Sequence, residues 1–138
     1  MVEFRNYFDD LLQTNGFKED KNGFYNGEPS TKLDNSYFLS YDFPDITRTG
    51  NNPIEYTVSV SIDFFFKGFR NVQEAQDTGF DRVNDMLLKF VDNYIEQEQC
   101  FRSIDPGSMS IRPLDNNERN IVITLEMTAI FNRSLTKE

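Results

Sequence analysis

The sequence predicts an α+β domain. The expected form is an antiparallel, strongly twisted sheet of about four strands, with one long helix packed on one face and a short N-terminal helix. Three observations carry this prediction. Ile54 to Lys67 alternates apolar and polar residues, broken only by Phe65. Asn120 to Phe131 puts Ile121, Ile123, Leu125, Met127, Ala129 and Phe131 on one side. Between them, Asn71 to Gln97 carries Val72, Ala75, Gly79, Val83, Met86, Leu87, Phe90 and Tyr94 at helical spacing.

Residues 2 to 14 begin the chain as a short helix, with Phe4, Phe8, Leu11 and Leu12 recurring on one side. Asn15-Gly16 ends it, since glycine accepts the left-handed conformation that follows a helix. Phe17 is placed to fold back on the helix end. Residues 18 to 35 are polar and punctuated by Gly23, Gly27 and Pro29, which reads as loop with a very short strand at Phe24-Tyr25. Ser36 to Phe43 is an aromatic strand. Pro44 to Pro53 has the composition of an exposed loop, longer than the roughly two to five residues of a common hairpin turn.

The strand from Ile54 spans about 40 Å, and the helix from Asn71 is about as long. Matching lengths favour laying the helix along the apolar side of the sheet. Pro106-Gly107 reads as a turn and Ser108 to Arg112 as a short strand, ended by Pro113 and Asp115-Asn116-Asn117. After the last strand, the tail from about residue 132 is polar. One domain over residues 1–138 is expected.

Composition excludes several chemistries. The chain has 38% hydrophobic residues and 14 phenylalanines but no tryptophan, so it has the material for a packed core. Lys plus Arg is 14 against 23 Asp plus Glu, a net charge of −9. Broad binding to nucleic acid phosphates is disfavoured at that charge. Histidine is absent, which removes His-based triads and His-metal sites. Cys100 is the single cysteine, so no disulfide forms within the chain and a buried structural thiol is expected. No signal peptide is expected at the N-terminal residues, and no apolar run approaches a membrane span. Synthesis and folding in a cytoplasm are expected.

Motifs for cofactors are missing. Neither a P-loop nor a dinucleotide fingerprint is present, and no cofactor is expected. Asp20-Lys21-Asn22-Gly23 has two features of a calcium loop but lacks the further ligands and flanking helices. Asp42 and Asp45 read as a solvated pair at a loop edge. Ser59 and Ser61 sit on a strand, outside any nucleophile elbow. The expectation is that the protein is not an enzyme.

Two surfaces stand out. Glu74, Asp77, Asp81, Asp85, Asp92 and Glu96 fall on one stripe of the long helix, opposite its apolar face. Like charges four apart, as in Asp77, Asp81 and Asp85, cost a few tenths of a kcal/mol per pair, by order of magnitude roughly 0.3. The plain reading is a solvated face, and the functional one is a negative surface for a partner or a pore. The second surface is the polar side of the sheet. There Glu55, Thr57, Ser59, Ser61 and Asp63 align with Val122, Thr124, Glu126, Thr128 and Ile130. It is either solvent-exposed or a mixed-character subunit interface. The long strands also leave edges that invite pairing.

Taken together, the short helix, the hairpin with a long exposed loop, the long helix and the second hairpin form a suggestive order. Carried by Tyr37 to Phe43, Ile54 to Phe66, Asn71 to Gln97 and Asn120 to Phe131, it resembles the tail terminator proteins of long-tailed bacteriophages. The related neck and tail-completion proteins are similar. The resemblance implies a structural virion protein that forms a ring, commonly of six subunits. Such a ring caps the tail tube and joins it to the head connector, and DNA passes through its centre. Implied partners are copies of the chain, the tail tube protein and the connector or neck proteins. No sequence-specific nucleic acid binding and no membrane are implied, and assembly would take place in the host cytoplasm. By this analogy Asp45, Ile46, Thr47 and Arg48 would touch a neighbouring subunit or the next ring. Arg48, Lys67, Arg70 and Arg112 would face acidic surfaces, and the helix's acidic stripe would suit a lumen that DNA slips through. The alternatives are another head-to-tail adaptor, a small cone-shaped α+β domain holding an apolar ligand between helix and sheet, and a small acid–base enzyme.

Overall fold

A computed structural model describes residues 2–21, 23–25, 28–29, 33–42, 45–48, 50–51, 54–93, 101–114 and 117–133. The first element is helix α1, Val2–Thr14. Its end is a Schellman arrangement. The Phe17 N–H donates to the Leu12 carbonyl and the Gly16 N–H to that of Gln13, with Gly16 at φ 91°. That turn aims Phe17 into the core, where its ring meets Phe64 at 5.2 Å edge-on.

Three two-residue strands follow: β1 (Lys18–Glu19), β2 (Phe24–Tyr25) and β3 (Glu28–Pro29). Next come β4 (Ser36–Tyr41), β5 (Asp45–Thr47) and β6 (Ile54–Phe66). Helix α2 (Val72–Asn93) leads to β7 (Phe101–Leu114) and β8 (Asn117–Arg133). The main sheet has six strands, in the order β1-β4-β6-β8-β7, with β5 beside β6. β2 and β3 form a separate ladder.

This corrects the expected sheet of about four antiparallel strands: the sheet is mixed and larger, because β1 pairs with β4 in parallel. β1 and β5 are too short to show any alternation, which is why the sequence does not announce them. The predicted loop 44–53 therefore contains a strand paired with β6, at Asp45↔Thr57 to Thr47↔Glu55. Its ends at Pro44 and Pro53 lie outside the described residues. The predicted turn at Pro106-Gly107 is corrected too. β7 runs straight through it with a bulge between Pro106 and Ser108. An edge strand tolerates this, since a proline there withholds only an N–H that need not pair. A Cβ at Gly107 would come within 2.7 Å of the Glu126 carbonyl oxygen, so only glycine lets the two strands approach.

Both helices lie on one side of the sheet. Phe8, Leu12, Leu39, Ile62, Phe64, Ala75, Val83, Phe90 and Ile123 belong to one buried cluster. The Phe8 and Phe90 rings meet at 5.1 Å, and the Tyr7 hydroxyl donates to the Phe90 carbonyl at 2.7 Å. Each fully buried ring contributes about 1.5–3 kcal/mol. Close seating of α2 requires Gly79, where a Cβ would sit 2.7 Å from Ile121 Cδ1 and 2.9 Å from Ile123 Cδ1.

α2 starts on a side-chain cap: Asn71 Oδ1 accepts the Glu74 N–H at 2.8 Å. The last part of the predicted helix, with Tyr94 and Glu96, lies outside the described residues, as does Cys100. Among the described residues no helix is long and apolar enough to cross a membrane.

Candidate interaction surfaces

The open face of the sheet follows from strand register. β6 and β8 pair without interruption from Ile54↔Arg133 to Phe66↔Ile121. Directly paired residues share a side, so Asp63 faces out with Thr124, Ser61 with Glu126 and Ser59 with Thr128. The Thr124 hydroxyl donates to Asp63 Oδ1 at 2.6 Å. Phe65, the break in alternation, also points this way. It is buried with Val122 and Leu114 in a small second cluster. Beside it the Ser36 hydroxyl is buried with no hydrogen-bond partner among the described residues. Gly23 lies against the Phe38 ring, 3.2 Å from Cζ to where its Cβ would be. One end of this face is thus covered. The other opens into a depression of about 220 Å³ lined by Ser40, Asp42, Ser59, Ser108, Glu126 and Thr128. A lining rich in hydroxyls and carboxylates suits water or a polar subunit contact.

The predicted cationic and loop contacts separate into two groups. Asp45, Ile46, Thr47 and Arg48 are all exposed at the end of β6 where that strand begins. Lys67, Arg70 and Arg112 lie toward the opposite end of the sheet, where Arg112 pairs with Val122. Arg119 joins them there, its carbonyl accepting the Phe69 N–H. Sequence reasoning passed over Arg119 because it lies in a polar stretch without periodicity, which the structure makes the start of β8. Arg70 is engaged locally: its Nε and its backbone N–H both donate to the Glu74 carboxylate. The side-chain bond from Arg70, then its backbone bond, hold the Glu74 carboxyl below the usual carboxylate range.

The acidic stripe is likewise divided. Glu74 is held by Arg70, while Asp77, Asp81 and Asp92 are exposed. Asp85 borders a hollow of about 340 Å³ between α2 and the end of α1. Glu96 lies outside the described residues. Across that hollow Lys89 donates to Asn15 Oδ1 at 2.6 Å and Arg82 to Asn35 Oδ1 at 3.1 Å. Arg82 also stacks over Phe66 and Phe69. These cations turn one flank of α2 toward α1 and β4. The opposite flank, at about 100° per residue, carries Phe80, 45% exposed, and Leu88 at 50% lies among the aspartates.

The most perturbed group is structural. Tyr37 is buried, donates to Asp9 Oδ1 at 2.8 Å and accepts from Gln13 Nε2 at 3.2 Å. Burial pushes its phenol above the usual value, and the bond to Asp9 adds to the rise. A phenol held neutral in this way ties β4 to α1. Among the described residues no group of three potential metal ligands comes together. Compared with known proteins, the sequence matches no family model and no curated protein.

Proposed function

We propose that the chain is a structural assembly subunit that builds a ring from copies of itself, as a tail terminator does at the end of a phage tail tube. The observation that supports this reading best is the arm formed by β5 and the start of β6. All three residues of β5 are exposed, and Ile46 is 63% exposed between Asp45 and the Thr47-Arg48 pair. An exposed isoleucine on a strand that, among the described residues, pairs on one side only, flanked by both charge signs, has the chemistry of a docking element. The rival, a domain with a ligand between helix and sheet, is less favoured. Phe8, Phe64, Phe66 and Phe90 fill that space with ring contacts of 5.1–6.3 Å.

In this reading free copies repel one another through their −9 charge. Docking on the last ring of a tube raises their effective concentration, and many small contacts then add up. Exposed Asp85 and Asp92 would keep a DNA-bearing lumen from sticking to phosphates.

Light scattering over a range of concentration and salt tests the proposal, with negative-stain microscopy of the products and of tail tubes lacking their terminator. Raising salt shortens the Debye length from about 30 Å at 0.01 M to about 8 Å at 0.15 M. Closed rings should become more abundant, and tubes should acquire a cap. A chain that stays monomeric throughout and leaves tubes uncapped overturns the reading.

A further inference from the structure

Two exposed apolar residues mark opposite edges of the same sheet. Ile46 pairs with Tyr56, whose ring stacks on Phe131 of the core at 5.0 Å, so Ile46 lies on the helix side. Ile111, 37% exposed, pairs with Ile123, the residue under Gly79, so it too lies on the helix side. Phe80 follows Gly79 on the flank of α2 turned away from Arg82 and Lys89, which places it over the β7 side. Asp77 stands beside Phe80, three residues before it, and Asp81 lies one turn on from Asp77, on the outer side. The seam between α2 and β7 therefore shows an apolar floor with an acidic rim. The arm shows an isoleucine with Arg48 two residues on.

We propose that these surfaces are the two halves of one contact between copies of the chain. Ile46 of one copy seats against Ile111 and Phe80 of the next, and Arg48 reaches Asp77 and Asp81. The inference rests on the ring-subunit reading and names its interface. Apolar meets apolar, cation meets anion, and both isoleucines lie on the helix side, so sheets can abut without turning over. The two halves lie on opposite edges, β5 beyond β6 and β7 beyond β8. One partner cannot cover both. The contact is heterologous and repeats from copy to copy, closing into a ring when the rotation allows. Along the strands the halves are offset by the distance from Phe131 to Ile123, about 27 Å. The strands would therefore run inclined to the ring axis.

Cross-linking tests this directly. In a Cys100→Ser background, Ile46→Cys and Ile111→Cys are combined in one chain, mildly oxidised, and run on a denaturing gel without reductant. A disulfide needs Cα atoms within about 7 Å, so only the proposed contact reports. A ladder of dimers, trimers and higher species is expected from the double variant and none from either single variant. Rings seen by light scattering without a ladder overturn this interface and leave the ring reading standing. Dimers alone, or dimers from a single-cysteine variant, overturn the head-to-tail arrangement. Monomers under every condition, tail tubes included, overturn both. A charge swap is the second measurement. Arg48→Glu should weaken association about tenfold or more, as should Asp77→Lys with Asp81→Lys. The three together should restore it; failure of that rescue overturns the charged part of the contact.

Discussion

The two sides of β6 are built from alternate residues of one strand, yet they do different work. Val58, Val60, Ile62, Phe64 and Phe66 are buried against the helices, while Thr57, Ser59, Ser61 and Asp63 line the open face. The first set is held by packing from α1, α2 and β8. The second meets its strand neighbours, as where the Thr124 hydroxyl donates to Asp63. Most of the buried core therefore lies on one side of the sheet, and away from the Phe65–Val122–Leu114 cluster the other side can change without unfolding the domain. Association chemistry can vary there and at the edges, where Ile46 and Ile111 sit.

Substitution on the two sides should separate them sharply. Phe64→Ala empties a site touched by Phe17 and Phe66. It should cost about 3–5 kcal/mol, the range for deleting a buried ring, read from the midpoint of urea unfolding. A loss under about 1 kcal/mol would mean the core can collapse around the gap and is not the jigsaw its ring contacts suggest.

Gly107→Ala probes a third environment, the bulged edge. Its new Cβ would meet the Glu126 carbonyl, and backbone cannot swing aside as a side chain can. A loss of about 1–3 kcal/mol is expected, within the overpacking range. An unchanged midpoint would show that the edge strand shifts freely against β8.

Much of this was legible in the sequence. α1 and its stop, β6, most of α2 and β8 follow from periodicities long enough to be unambiguous, and Phe65's exception has a cause in Val122 and Leu114. What was not legible depends on long-range pairing. Lys18-Glu19 carries no pattern, and its parallel ladder with Ser36-Tyr37 exists because the turn after α1 delivers the chain there. Pro106-Gly107 spells a turn locally, but β8 supplies an edge along which the chain continues. For the surfaces, composition showed acidity and a polar sheet face. It could not show that Arg70 is occupied by Glu74, or that Ile46 and Ile111 share a side.

Tyr37→Phe acts on the buried side through a polar group. It removes the bond to Asp9 and leaves Gln13 without that acceptor, for an expected loss of about 1–2 kcal/mol. It also changes the pH profile. The folded phenol's pKa lies above its unfolded value, so the neutral form is favoured by folding. Its contribution is fully present below the unfolded value, about pH 10, and is lost as pH rises from there toward the folded value. Between about pH 10 and 11 the wild-type chain should therefore lose stability more steeply than Tyr37→Phe. Parallel curves would locate the alkaline sensitivity in another tyrosine.

Ser59→Ala has the smallest expected effect and bears most directly on the contrast between the faces. Ser59 is exposed on the open side, opposite Thr128, at the mouth of the hydroxyl-lined depression. Removing one solvated hydroxyl there should move stability by no more than about 0.5 kcal/mol. Association should be equally indifferent, because the proposed contact runs between the edges and leaves this face free for a different partner. A chain that folds normally but no longer forms rings after Ser59→Ala would move the interface from the edges onto the open face. The depression would then be the seat of the neighbouring copy.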